Sequence, residues 1–304
     1  MSSTLLQLVQ AASVEMGLTL PSSVVGNTAT DVQQLYYLAN ALGGELQREY
    51  PWQALNRQHR FYTQYLTTTG DVTDGSYTVT NIPTTASLST DYMVTGVGIS
   101  QDTGVASVDS STQVTLNQQA TETGTGVTLY FGQTKYDLPS DFDRQIDRTH
   151  YDKSKRWEML GPETPQQWEF LLSSYISTGP RMRYRIMGNQ FQIWPITSTN
   201  EFLGFEYVSN GWAESSGGTP QSSFLADSDT CIYPDRLMVL GIKKKYFEVK
   251  GFDTTAFERD FQAQLSIARS NDSGSPTLSM SPKPSTVLIG FENIPDGSIY
   301  GQGG

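Results

Sequence analysis

The chain has 304 residues, with 20 lysines and arginines against 31 aspartates and glutamates, a formal charge of −11. A lone cysteine, Cys231, excludes a disulfide framework within the chain, and the acidic balance excludes a net basic nucleic-acid binder. The length allows about two domains, or one domain with an insertion, and the low charged share of 17% leaves a polar, weakly charged surface suited to large protein–protein contacts.

Residues 1–20 have no basic leading segment, and Gln7, Gln10, Ser13 and Glu15 interrupt their apolar run, so they do not read as a secretory signal. No window reaches the roughly 18 consecutive apolar residues of a membrane span. We therefore expect a soluble chain without a membrane partner, folding in a reducing cytoplasm. Leu5, Leu6, Val9 and Ala12 recur at helical spacing and predict a first helix. Pro21-Ser22-Ser23 breaks the chain. Thr30 and Gln33 have capping-box spacing, and Val32, Leu35, Tyr36, Ala39 and Leu42 predict a second helix behind them, weakened at Gly43-Gly44 and stopped by Pro51. Two such helices bury too little apolar surface alone and must dock on another element. Residues 52–66 alternate around Trp52, Leu55, His59, Phe61, Tyr62 and Tyr65 and predict a strand.

Composition changes at 67–135, where Thr, Ser, Gly and Val dominate. Asp71, Asp74, Asp91, Asp102, Asp109 and Glu122 face a single base, Lys135. Alternating runs at 77–82, 92–95, 105–108, 113–116 and 127–131, separated by Gly, Asp and Ser, predict a small all-β sandwich or barrel; a disordered Ser/Thr linker is the alternative.

Residues 136–272 are mixed. Thr164 and Pro165 mark a short helix start. Arg181–Ile186 and Gln190–Trp194 alternate around Gly188-Asn189 and predict a β-hairpin. Phe202, Phe205 and Tyr207 predict a further strand. Asp235 opens a helix to about Lys250, and a last helix starts near Thr255, with Glu258 at capping-box distance and Phe257, Phe261, Leu265 and Ala268 as its stripe. Residues 273–304 carry four prolines around the cluster Val287, Leu288, Ile289 and Phe291, and read as an extended arm that grips a partner; plain terminal disorder is the alternative.

Motifs for chemistry are scarce. His59 and His150 share no ligand spacing, and Cys231 lacks a nucleophile signature and reads as a small buried side chain. There is no phosphate-binding loop, dinucleotide fingerprint or nucleophile elbow, so we expect no cofactor, no metal and no catalytic residue. Asp141 and Asp143 form the nearest thing to a carboxylate pair, in a turn-like setting. Two basic clusters stand out as a charged interface. Arg181, Arg183 and Arg185 alternate and so share one strand face, where they would repel without a negative partner. Lys243, Lys244 and Lys245 are spread around a helix axis. The functional reading of both is contact with an acidic neighbour, protein or DNA; a solvated face or an inter-subunit ion-pair row is the alternative.

The order of these segments resembles the head-to-tail adaptor (connector) proteins of short-tailed bacteriophages. The resemblance is carried by Leu5–Ala12, Leu18–Ser23, Asp31–Asn40, Glu49–Leu55 and Tyr136–Asp143, and 96–131 resembles a β-module of phage tail and neck proteins. It implies an α+β fold: a helical-bundle adaptor core with a β element at 1–66 and 136–272, an inserted all-β domain at 67–135, and a C-terminal arm at 273–304. It also implies a non-enzymatic virion protein, assembled in the host cytoplasm. Twelve copies would form a ring in the neck, contacting the portal protein and the tail nozzle or tube, with DNA crossing the lumen without sequence-specific binding. The acidic charge agrees with a lumen that repels DNA. Alternative roles are a virion module whose β insert engages tail fibres or surface glycans, and, more remotely, a tail-associated glycan hydrolase.

Overall fold

The computed structural model describes residues 3–173 and 181–273. In chain order, helices α1 (Leu5–Met16) and α2 (Thr30–Glu49) lead through a 3-10 turn, Gln53–Leu55, into strands β1 (Asn56–Tyr62), β2 (Tyr65–Val72), β3 (Thr78–Val79), β4 (Tyr92–Gly96), β5 (Val105–Ser110), β6 (Gln113–Leu116), β7 (Gly124–Gln133), β8 (Lys135–Asp137), β9 (Phe142–Gln145), β10 (Tyr151–Asp152) and β11 (Trp157–Glu158). Helix α3 (Pro165–Ser173) precedes β12 (Arg183–Met187), β13 (Gln190–Trp194), β14 (Phe202–Ser209), β15 (Ala213–Glu214), β16 (Pro220–Gln221) and β17 (Thr230–Cys231), and α4 (Asp235–Val249) and α5 (Thr255–Ser273) close the described chain.

These elements build three apolar clusters. The first is helical. α4 is buried on most sides, through Leu237, Met238, Val239, Leu240 and Ile242, and α1, α2 and α5 pack around it. Such a helix needs neighbours all round rather than one stripe. The packing is close enough that a Cβ on Gly241 would sit 2.4 Å from Leu42 Cδ2 and 3.0 Å from Phe261, so only glycine lets three helices meet there. The second cluster lies between the sheets β2-β7-β4 and β3-β6-β5 and holds Val79, Val94, Val114, Leu129 and Phe131. The third is aromatic. It sits between the sheet β1-β14-β10-β11, to which β9 adds along β14, and the sheet β12-β13-β8, and it holds Tyr184, Phe191, Leu203, Phe205 and Tyr207.

A helical-bundle core carrying one β element is therefore overturned. Strand accounts for 31% of the described residues against 29% helix, in several small antiparallel sheets. The misreading has a physical source. Helical stripes are local and repeat over many residues, whereas the sheets join short strands far apart in sequence: β1 lies antiparallel to β14, with His59 opposite Phe205.

Several local expectations change as well. Residues 52–66 are not one strand: Thr63, fully buried, breaks the run by accepting a hydrogen bond from Glu201 N at 2.7 Å. The capping box is at Thr4 and Gln7, not at Thr30. Thr30 is the first residue of α2, its N-cap is Ala29, and Asn27 organises the entry by accepting from Ala29 N. At α5 the carboxylate of Asp253 takes the Thr255 amide, and Glu258 points elsewhere. The Gly188-Asn189 hairpin forms with both residues left-handed, as a two-residue turn of this hand requires.

Candidate interaction surfaces

The residue triplet Lys243–Lys245 is the clearest case of a charged cluster whose geometry explains it. Successive residues on a helix point about 100° apart. Lys243 faces Glu15 of α1 at 3.4 Å, Lys244 forms an ion pair with Glu258 of α5, and Lys245 reaches Glu45 of α2 at 2.7 Å. Each lysine thus joins the central helix to a different neighbour. Their stems also cover aromatic faces: Lys243 lies 5.2 Å from the Phe257 ring and Lys244 5.0 Å from that of Phe261. The field is felt by the acids. Burial would raise the Glu15 carboxyl, but Arg236 and Lys243 hold it below its ordinary value. Hydrogen bonds from Lys244 and Gln262 lower that of Glu258.

The arginine row divides. Arg183 and Arg185 share one face of β12, and Arg183 is held by Glu163 at 2.6 Å. Arg181 lies before the strand begins and is exposed. Val287, Leu288, Ile289 and Phe291 lie outside the described residues.

The acidic and histidine candidates settle into structure. Asp141 accepts from the hydroxyls of Tyr207 (2.8 Å) and Ser209 (2.7 Å), while Asp143 pairs with Arg144 at 2.9 Å. His59 stacks on Phe61. His150, only 1% exposed, lies face to face with Tyr184 at 4.0 Å and with Phe205 at 5.1 Å. Neither of its ring nitrogens has a hydrogen-bond partner. Burial among these rings lowers its pKa to about 4, with Asp147 opposing weakly. Cys231 is buried, and burial pushes its thiol up to about 12.

A second carboxylate pair was invisible in the sequence. Asp152 and Glu201 meet across β10 and the start of β14, and Glu201, 2% exposed, forms an ion pair with Lys155. Burial raises the Glu201 carboxyl, and Lys155 only partly offsets it. The pair stitches a turn to the sheet: Asp152 Oδ1 also accepts from Ser154 N (2.9 Å) and Lys155 N (3.1 Å). Forty-nine residues separate these acids, so no local motif could announce them.

Among the described residues no helix is long and apolar enough to cross a membrane, and no three His, Cys, Asp or Glu side chains group as a metal site. Several aromatic side chains lie at the surface. Tyr62 stacks on Phe202 at 4.7 Å and Tyr65 on Tyr130 at 6.3 Å, leaving Tyr62 and Tyr130 exposed beside the junction of β1 and β2.

A family model described as SU10 adaptor protein matches residues 111–281. No curated protein matches the chain. The matched stretch takes in β6 and β7, the aromatic cluster, and helices α3, α4 and α5, so it begins inside the segment expected to be an insertion. It bears on an adaptor and not on a short-tailed type. The chain belongs to the SU10 adaptor protein family, whose members are structural adaptor proteins of bacteriophage virions.

Proposed function

We infer that this protein forms a ring between the portal and the tail, joins the two, and surrounds the path of the DNA. The observation that carries this reading is the family match over 111–281. A surface with few charges and several exposed aromatic side chains supports it, since these are features of protein–protein contacts. Twelve copies in the neck of a short-tailed particle, with the acidic chain repelling DNA from the lumen wall, complete the reading. In this scheme residues 1–66 and 136–272 form the ring body and 67–135 an added module. Residues 273–304 act as an arm gripping the next ring through Val287, Leu288, Ile289 and Phe291. Arg181, Arg183 and Arg185 supply a charged contact.

The test is mass measurement of the purified full chain, alone and with portal-bearing heads. Rings attached to heads are expected. A chain that stays monomeric under both conditions overturns the reading. Removal of 273–304 should lower occupancy on heads, and normal occupancy would sink the arm.

A second role can coexist with the first. Exposed Tyr77, Val97 and Tyr130 favour a module at 67–135 that engages another virion protein or a surface glycan. Glycan hydrolysis draws no support from Asp141–Asp143 or Asp152–Glu201, because hydrogen bonds and ion pairs within the chain engage both pairs.

A further inference from the structure

Five of the 20 basic residues fall between positions 144 and 156: Arg144, Arg148, Lys153, Lys155 and Arg156. In a chain of charge −11 this is a local inversion. Arg148, Lys153 and Arg156 line an open groove of about 490 Å³ on the face of the β1-β14-β10-β11 sheet that turns away from the aromatic core, against two carboxylates, Glu206 and Asp152, the latter engaged by the Ser154 and Lys155 amides.

The groove is built rather than incidental. Arg148 and Arg156 both have a left-handed backbone, with φ of 60°, a conformation a non-glycine residue keeps only where the surroundings impose it. The surroundings do so. Thr149 Oγ1 donates to Ile146 O at 2.7 Å and accepts from Glu206 N at 3.0 Å, locking the Arg148 turn onto β14. Asp152 gathers the amides of the turn that carries Arg156. Lys153 crosses the sheet where Gly204 leaves room, since a Cβ there would lie 2.7 Å from its Cε.

Elsewhere on the chain stands the opposite surface. Asp74 and Glu122 are exposed on adjoining turns: Asp74 N donates to Thr123 Oγ1 at 3.0 Å, and Gly75 N to Ala120 O at 2.9 Å. Val97, 64% exposed, sits beside them, because Thr121 N donates to Gly98 O at 2.9 Å. This tip is acidic with one apolar contact point, and none of its residues lines the groove.

We propose that the basic groove of one copy receives the acidic tip, Asp74 and Glu122, of the next copy. Two different patches on one chain make a head-to-tail contact, the kind that closes into a ring. Charge complementarity sets the register and speeds encounter, so assembly weakens as salt rises. This deepens the ring reading and rests on it.

The experiment measures the mass of the full chain against concentration, at low and high salt, with portal-bearing heads as a second arm. The chains are wild type, the pair Arg148→Glu with Arg156→Glu, the pair Asp74→Lys with Glu122→Lys, and all four together. Each pair should raise the concentration for half-assembly at least about tenfold, and the fourfold swap should restore it. Unchanged circular-dichroism melting shows that the variants fold. Wild-type rings matched by equally assembled groove variants overturn the groove contact and leave the ring reading intact. A labelled DNA duplex that binds wild type and is lost from groove variants still assembling normally overturns it in favour of nucleic acid. A wild type that forms no ring even on heads overturns the ring reading itself.

Discussion

The indole of Trp212, fully buried, lies directly over Gly43 of α2: a Cβ at that glycine would fall 2.3–2.4 Å from three of its ring carbons. The neighbouring Gly44 faces open space. Two glycines that look alike in the sequence, each weakening a helix, therefore have different reasons to be there.

Gly43→Ala should destabilise the protein by about 1–3 kcal/mol, because a fixed ring must move or the helix must shift. Gly44→Ala should stabilise it by about 0.5–1 kcal/mol through helix propensity. Denaturant unfolding of the two variants checks this, and equal effects of the same sign would show that Trp212 does not seat on α2.

Acid stability should depend on His150. Its pKa is lowered to about 4 in the fold and returns to its ordinary value near 6.5 on unfolding. Below the unfolded value the unfolded chain binds the extra proton, so stability is lost as pH falls from about 6.5 towards 4. Between pH 7 and 5 this amounts to about 2 kcal/mol. His150→Phe keeps a ring between Tyr184 and Phe205 and removes the proton site. It should flatten that part of the profile, read by urea unfolding at the two pH values. A variant that loses as much stability as wild type on acidification removes His150 from the account.

The helix caps give a third check. Thr4→Ala breaks a capping box and should cost about 0.5–1 kcal/mol. Thr30→Ala breaks none and should stay within about 0.5 kcal/mol of wild type. Thermal unfolding of both variants separates the real cap from the apparent one.

Lys244 and Glu258 are both partly exposed to solvent, so their coupling should be modest. A double-mutant cycle should return about 0.2–1 kcal/mol, shrinking as salt is added. Since Lys244 and Gln262 lower the Glu258 carboxyl, this contribution is present above the ordinary glutamate pKa. It fades as pH drops through the lowered one. A coupling unchanged by salt would point to packing of the lysine stem on Phe261 instead.

Much of the helical part was legible. The stripes of α1, α2 and α5 stand in the sequence because helix periodicity is a local property, and each proved to face α4. The short β-runs between 67 and 135 were legible for the same reason, since alternation over four to ten residues needs no knowledge of the partner strand. What the sequence could not weigh was how much sheet the rest of the chain would make. β10, β11, β15, β16 and β17 are two residues long, too short for alternation to mark them in the sequence.

The charged sites divide along the same line. The sequence by itself determined that Lys243, Lys244 and Lys245 would leave one helix in three directions, because helix geometry alone sets that angle. Only the tertiary structure decided that an acid waits in each direction. It also decided that Arg148 and Arg156 rim one groove and that Glu201 lies buried beside Lys155 and Asp152. Those outcomes depend on chain segments brought together by packing, and the pairing of distant strands is a sum of many weak contacts that no single window of residues contains.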